Sequence, residues 1–198
     1  NTVTKRLETI ADKARYYTPI LSPNLETIAC VEVDESNTSY LTTIDIASKK
    51  KLNSIEIHDD IHIQQPQYNA DGTKIITIAV SEKGTTLAEI DLQTELLTFL
   101  YPWSNTQFER PIYYKDAIVF KANNDNKDDI FLSKNGTIFR LTDAEFGAFN
   151  PSTIDSTLYF NDYTLDGLLI NYTNINLNQI TEIDLTPSKT LYSSQNNF

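Results

Sequence analysis

The sequence predicts an all-β fold built from four repeated units, and three observations support this prediction. An Ile-Asp step recurs 46 residues apart, at Ile44-Asp45 and Ile90-Asp91. Turn signals recur about every 8–12 residues, which leaves room only for short strands. Four prolines also recur, at spacings of 47, 45 and 40 residues: Pro19, Pro66, Pro111 and Pro151. Two independent markers with a shared period indicate a true internal repeat.

Each unit contains four predicted strands, which we label a to d. Strand a contains or follows the proline, strand c carries the Ile-Asp step, and strand d follows a polar turn. Strand b is a run of β-branched and aromatic residues, at 27–33, 74–80, 117–120 and 157–160. Four short strands in about 40–45 residues are typical of one blade of a β-propeller. The sequence therefore predicts a β-propeller of about four four-stranded blades.

The repeats fill almost the whole chain of 198 residues. We predict a propeller over 1–186 and a polar C-terminal tail over 187–198. The predicted repeats lie near 17–57, 64–101, 109–142 and 149–185. Because most propellers have more than four blades, the chain is either a four-bladed ring or a segment of a larger propeller, and we favour the segment. An open array would leave an apolar blade face and a strand edge for neighbouring chain to cover.

Several short motifs resemble those of the TolB-like β-propeller family. Ser22-Pro23-Asn24 and Asn69-Ala70-Asp71-Gly72 are similar to the Pro-x-x-Ser-Pro-Asp-Gly turn that opens its blades. Leu141-Thr142-Asp143 resembles the family's outer strand, and Asp128-Asp129-Ile130-Phe131 resembles the start of its strand c. The resemblance covers roughly residues 5–180. A WD-repeat propeller is less favoured, because the sequence has no Gly-His or Trp-Asp pair.

This resemblance implies a cell-envelope or secreted setting and a binding role. We therefore expect a non-catalytic binding or scaffold module for protein–protein interaction, in the bacterial periplasm or at the cell surface. Its expected partner is another protein or a neighbouring domain of a longer parent chain. The alternative is an accessory propeller of a larger enzyme, a peptidase or another hydrolase, which gates or presents the substrate. A third hypothesis is a hydrolase that uses carboxylates of its own loops.

Composition excludes several other classes of protein. Hydrophobic residues make up 40% of the chain and charged residues 22%, which argues against wholesale disorder. Asp and Glu number 27 against 16 Lys and Arg, a net charge of −11, which argues against nucleic-acid binding. No apolar run approaches the roughly 18 residues of a membrane-spanning helix. The single cysteine excludes an intrachain disulfide.

Acidic residues recur in the predicted b–c and d–a connections, which lie on one face of a propeller. Such a face would bind a cationic partner, either a basic peptide or a metal ion. The alternative is that Asp occupies these turns for conformational reasons alone. Trp103 lies in a long d–a connection, where it is either a buried anchor between units two and three or an exposed contact for a partner, and we favour the anchor. The candidate binding residues are Asp34, Glu35, Asp59, Asp60, Trp103, Asp125, Asp128, Asp129 and Asp162.

No metal site or cofactor is predicted. The segment 123–129 has oxygen ligands at intervals that suit calcium, but it lacks the complete loop pattern and contains Lys127. His58 and His62 are four residues apart, and zinc would need a third ligand from another loop. We interpret both segments as solvated connections.

No catalytic residue is predicted either, so we expect the chain not to be an enzyme. The sequence contains no Gly-x-Ser-x-Gly nucleophile motif. Cys30 lies inside an apolar strand, where a buried structural thiol is expected. Among 27 acidic residues some pair will always suit a glycoside hydrolase, so paired carboxylates carry little information.

Overall fold

A computed structural model describes residues 7–11, 14–177 and 180–185, and within them the chain is all-β. Sixteen strands form four antiparallel sheets, and no helix occurs in the described residues. No described segment is therefore a helix that could cross a membrane. The all-β propeller class predicted from the sequence is confirmed. The predicted tail, 187–198, lies outside the described residues.

Each sheet corresponds to one blade. The first blade contains β1 (Tyr16–Leu21), β2 (Thr27–Val33), β3 (Ser39–Asp45) and β4 (Lys51–Ile57). The second contains β5 (His62–Tyr68), β6 (Lys74–Ser81), β7 (Gly84–Asp91) and β8 (Leu97–Phe99). The third contains β9 (Phe108–Tyr114), β10 (Ala117–Asn124), β11 (Lys127–Lys134), β12 (Thr137–Arg140) and β16 (Thr181–Ile183). The fourth contains β13 (Ala148–Ile154), β14 (Thr157–Thr164) and β15 (Gly167–Asn174).

The repeated prolines mark a β-bulge in the innermost strand of every blade. Proline has no N–H to donate to the strand ladder, so the ladder shifts its register at that point. The residue before each proline adopts a positive φ of 45–53°: Thr18, Gln65, Arg110 and Asn150. These four residues and the prolines line one cavity of about 290 Å³, where the innermost strands of the four blades meet. The proline spacing therefore records a repeated backbone feature around the propeller axis.

Three apolar clusters fill the three spaces between successive blades. The first joins blades one and two through side chains such as Leu41 and Ile75. The second joins blades two and three through Ile78 and Phe120. The third joins blades three and four, where Val119 contributes. Each blade is thus held mainly by burying one face against its neighbour.

The C-terminal strand does not complete the fourth blade, which differs from the predicted fourth repeat of 149–185. β16 pairs antiparallel with β12 of the third blade, with Ile183 opposite Ile138. Ile183 and Leu185 also pack into the cluster between blades two and three. Sequence order assigned this strand to the nearest repeat, because successive strands usually pair. β16 instead pairs with the outer edge of the short strand β12, because Ile183 and Leu185 can then pack into the apolar cluster between blades two and three.

Candidate binding face

The antiparallel strand order gives the propeller two faces. We call upper face the set of connections that follow the second and fourth strands of each blade: β2–β3, β4–β5, β6–β7, β8–β9, β10–β11, β12–β13 and β14–β15. The lower face holds the remaining connections. All nine candidate residues lie in upper-face connections or at the strand ends beside them. The topology therefore places them on one face, as the strand order predicts.

Three of the candidate acids form tight turns on the upper face and are exposed. Asp59 and Asp60 join β4 to β5 with φ of 63° and 54°, and Asp125 stands in the β10–β11 turn with φ of 53°. Asp tolerates this left-handed conformation better than most residues, so turn geometry explains their presence. They make no ion pair with other described residues, so their charges remain available to a partner.

Asp34 is committed to its own turn. Its Oδ1 accepts the backbone N–H groups of Ser36 and Thr38, both at 2.9 Å, and its Oδ2 accepts the Tyr40 hydroxyl at 3.2 Å. This is an Asx-type turn that fixes the β2–β3 connection. The neighbouring Glu35 is exposed and makes no ion pair with the described residues. Of this pair, Glu35 carries the charge that faces solvent.

Asp129 is not a surface residue, which corrects its assignment to the binding face. Its side chain is fully buried. Oδ1 accepts the Thr142 hydroxyl at 2.8 Å and the Ala144 N–H at 3.1 Å, and Oδ2 forms an ion pair with Arg140. A buried carboxylate must be paired in this way to offset its lost hydration. Asp129 ties the end of β12 to β11 and cannot contact a partner.

A buried lysine beside this network was missed by the sequence analysis. The Lys121 ammonium lies 3.0 Å from Glu109 and 3.1 Å from the candidate Asp128, and its side chain is 5% exposed. It also lies over the Phe149 ring at 5.4 Å. A cavity of about 350 Å³ opens here between the third and fourth blades. The available signal was a lysine directly after the apolar run 117–120.

Lys127 and Arg140 further neutralise this part of the upper face. Lys127 lies 2.6 Å from Asp143 and 3.7 Å from Asp129. A hydrogen bond from Lys127, with the nearby positive charge of Arg140, holds the pKa of Asp143 below its usual value. The upper rim of blade three is therefore a network of paired charges. The unpaired acidic charge lies mainly in the turns of blades one and two and in the β10–β11 turn.

The two remaining candidates have structural contacts. Asp162 accepts a hydrogen bond from Asn171 Nδ2 at 3.2 Å, across the β14–β15 hairpin. Trp103 packs on Phe99 with ring centroids 5.1 Å apart and joins the apolar cluster between blades one and two. It is a packing anchor, but the predicted location between units two and three was wrong. The chain after β8 folds back over its own blade, and this brings Trp103 to the earlier interface.

The histidines flank the Asp59-Asp60 turn. His58 Nδ1 lies 3.3 Å from Glu56, and His62 Nε2 lies 3.4 Å from Asn37 Nδ2. Within the described ranges, no three His, Cys, Asp or Glu side chains are grouped so that they could hold a metal ion. The 123–129 segment is a β-hairpin end in which Asp125 and Asn126 both have positive φ. Its geometry is that of a two-residue hairpin turn.

A cavity of about 820 Å³ lies on the lower face between the second and third blades. Its carboxylates are already hydrogen-bonded: Glu89 accepts Lys74 of its own blade at 2.7 Å and the Tyr113 hydroxyl of the third blade at 2.9 Å. Hydrogen bonds from Thr73 and from Lys134 lower the pKa of Asp71 and of Asp116, respectively. A catalytic general acid needs a raised pKa, so neither group is tuned for that role.

Cys30 is buried, as its apolar strand predicts. Burial raises the pKa of its thiol to about 11, and the negative charge of Glu32 adds to this. At neutral pH the thiol is therefore protonated. A nucleophilic cysteine needs the opposite shift.

Comparison with known proteins gives matches at the level of structure. No protein-family model matches the chain, and no curated protein sequence is significantly similar to it. TolB from Acinetobacter baumannii superimposes with a TM-score of 0.72 at 16% identity, over 94% of this chain and 47% of TolB. An oligogalacturonate lyase from Vibrio parahaemolyticus gives a TM-score of 0.66 at 12% identity, over 90% of this chain and 55% of the lyase.

A puromycin-hydrolyzing peptidase from Mycobacterium tuberculosis gives a TM-score of 0.64 at 10% identity. The match covers 86% of this chain and 29% of the peptidase. The chain thus spans about half, or less, of the length of these solved structures. Identities this low establish fold and leave function open. Together with the sixteen-strand architecture, they show that the chain has the fold of a TolB-like β-propeller.

Proposed function

We propose that the chain is a non-catalytic binding module whose upper face contacts a positively charged segment of another protein. The observation that carries this proposal is the exposed, unpaired set of carboxylates at Glu35, Asp59, Asp60 and Asp125. The cations near them on blade three, Lys121 and Lys127, are already held in ion pairs. A surface with unbalanced negative charge attracts and orients a cationic partner.

The proposed setting is the bacterial periplasm or cell surface. Its support is the resemblance of the blade-opening turns to the TolB-like family, together with the structural similarity to TolB itself. Fractionation of the native cells, followed by immunodetection of the chain, tests this part. Recovery in the cytosolic fraction would contradict it.

A decalysine peptide serves as the probe for the binding role. We expect Asp59→Asn/Asp60→Asn to weaken its binding about 3–10-fold at low salt, because each lost charge contributes up to about 1 kcal/mol. Asn is chosen because it also tolerates positive φ. The matched control removes two lower-face charges at positive-φ positions, Glu95→Gln and Asp155→Asn. Equal weakening by both pairs, or no binding by the parent chain, would disprove the proposal.

A second candidate function is an accessory propeller of a larger enzyme. The observation that favours it is the match to a peptidase and a lyase, of which the chain covers only 29% and 55%. In this case the full-length gene product would cleave a peptide or polysaccharide substrate, and the 198-residue chain alone would not. Turnover by the 198-residue chain itself would instead support a hydrolase within the propeller.

A further inference from the structure

A cavity of about 370 Å³ lies on the upper face between the first and second blades. This volume falls within the usual range of pockets that bind a ligand group. We call it the anchor pocket, and its lining includes Tyr17, Val31, Val33, Ser39, His62 and Ile63. All six belong to the upper ends of β1, β2, β3 and β5.

The walls of the anchor pocket are mainly apolar. Val31 and Ile63 are almost fully buried and belong to the cluster that joins blades one and two. Val33 is half-buried beside them, and Tyr17 is 52% exposed. The pocket therefore extends the apolar space between the two blades up to the surface, where a side chain from outside could enter it.

Two acidic connections border this pocket. The β2–β3 connection, which carries the exposed Glu35, starts directly after Val33. The β4–β5 connection, which carries the exposed pair Asp59-Asp60, ends directly before His62. The two connections meet where His62 Nε2 lies 3.4 Å from Asn37 Nδ2. The carboxylates of the proposed binding face thus lie on either side of an apolar pocket.

One cation also lies beside the pocket. The backbone carbonyl of Arg15 accepts the Val33 N–H at 3.1 Å, and the Arg15 side chain is exposed. The three exposed carboxylates of the two connections outnumber this charge. A cationic segment is therefore still attracted to the rim of the anchor pocket.

The corresponding cavity between blades three and four has a different chemistry. Tyr17 stands opposite Val31 in blade one, and Glu109 stands opposite Lys121 in blade three. Both first-named residues lie two positions before a repeated proline, so the two pairs are equivalent. Glu109 and Lys121 form an ion pair at 3.0 Å, and an apolar group placed there would remove that pair from water. Of these two cavities, only the anchor pocket suits an apolar side chain.

We propose that the anchor pocket binds one bulky aliphatic side chain of the cationic segment, with lysines or arginines on both sides of it contacting Glu35 and Asp59-Asp60. This inference rests on the proposed function and specifies its partner: a basic segment that is interrupted by a leucine or isoleucine. The charges attract the segment, and the aliphatic anchor fixes its position along the face.

Two peptides that differ at one residue test the proposal. Each has four lysines on both sides of a central residue, which is leucine in one and serine in the other. We expect the leucine peptide to bind the chain about 3–10-fold more tightly, because its side chain leaves water on entering the pocket. Both affinities should fall between about 50 and 200 mM salt, whereas their ratio should persist, because an apolar contact is not screened. Fluorescence anisotropy of labelled peptides measures all four affinities.

Variants of the pocket locate the effect. Val33→Phe fills the cavity and Tyr17→Ser removes its exposed wall, and either should reduce the affinity ratio to less than about twofold. The matched control is Val80→Phe. Val80 pairs with Thr85 at the upper end of β6, as Val33 pairs with Ser39 at the upper end of β2, but it packs against the next cluster. The control should keep the ratio of the parent chain, and thermal unfolding checks that each variant is folded.

The outcomes separate this inference from the proposed function. If both peptides bind with equal affinity, the anchor pocket is not used, while binding through charge stands. If neither peptide binds, the proposed function fails and this inference fails with it. An equal loss of the ratio in Val80→Phe and Val33→Phe would place the contact elsewhere. If the parent chain dimerises and Val33→Phe prevents this, a second copy occupies the pocket and the proposal is overturned.

Discussion

The third and fourth blades carry the same central hairpin in the same register but in different surroundings. Lys121 pairs with Ile130 in the third blade, and Asn161 pairs with Ile170 in the fourth. Blade three is buried on both faces, whereas blade four is buried only on the face that meets blade three. β15 nevertheless contains the continuous apolar run Leu168-Leu169-Ile170, as expected of a strand buried on both faces.

This difference teaches that strand pattern and burial are separate properties. Alternation and β-branched content form the hairpin in both blades. The face of a blade that points away from the preceding blade contributes to stability only when another sheet packs on it. Matched substitutions at equivalent positions of two blades therefore measure the contribution of the neighbour.

The largest contrast is expected between Ile130→Ala and Ile170→Ala. The first creates a cavity in the cluster between blades three and four and should cost about 2–5 kcal/mol. The second removes an exposed side chain and should change the free energy of unfolding by about 0.5 kcal/mol or less. Urea denaturation of the 198-residue chain measures both. Similar losses at the two positions would show that Ile170 is buried in solution.

The glycines that begin the third strands of blades two and four give the next contrast. Gly84 and Gly167 both have φ of +106°, so alanine is strained at either position. A Cβ on Gly84 would also lie 2.2 Å from the Ser104 carbonyl oxygen, whereas one on Gly167 meets nothing within 4 Å. We expect Gly84→Ala to cost about 3 kcal/mol or more and Gly167→Ala about 1–2 kcal/mol. Thermal unfolding of both variants tests the difference. Equal losses of stability would mean that the backbone strain shared by the two positions, and not the contact with Ser104, determines the effect.

Asp125 and Asp129, which the sequence analysis assigned to the same binding face, should also differ in their contribution to stability. Asp129→Asn removes the charge that pairs with the partly buried Arg140, and we expect a loss of about 2–3 kcal/mol. Asp125→Asn changes an exposed turn residue and should alter stability by less than about 0.5 kcal/mol. Chemical denaturation at neutral pH measures both losses. If Asp129→Asn left the stability unchanged, the ion pair and hydrogen bonds of Asp129 would not be what holds β12.

The smallest effect concerns pH. The pKa of Asp143 is lowered by Lys127, so its folded form stays charged at a pH where the unfolded form is protonated. The stabilisation by charged Asp143 is present above the ordinary carboxyl pKa and is lost as the pH falls through the lower pKa that Asp143 has in the folded protein. In Asp143→Asn the decrease in the free energy of unfolding between pH 5 and pH 2 should therefore be smaller than in the parent chain. The difference should be about 0.5 kcal/mol or less, because the pair is exposed. Lys127→Met should give a smaller difference, because Arg140 still lies 3.2 Å from Asp143. An unchanged loss of stability at low pH in both variants would contradict the pairing.

Much of the fold was predictable because it depends on local signals. Proline removes a donor from the strand ladder wherever it stands, so Pro19 and Pro151 mark equivalent bulges without knowledge of their neighbours. The apolar run around Cys30 correctly predicted a buried strand. The candidate face was less predictable: Asp125 and Asp129 belong to one hairpin, yet only the first reaches solvent. The distinction comes from Arg140 and Thr142, whose approach to Asp129 depends on the path of β12.

The sequence by itself determined the four repeats, the strand order and the face on which each turn lies, because these follow from side-chain period, turn residues and proline positions along the chain. The tertiary structure decided which carboxylates are buried and which blades Trp103 joins. It also decided that β16 pairs with β12 and that, among the described residues, Ile170 and Tyr172 of blade four stay exposed. These properties depend on contacts between residues far apart in the chain, where the free energy of burial and ion pairing outweighs local preference.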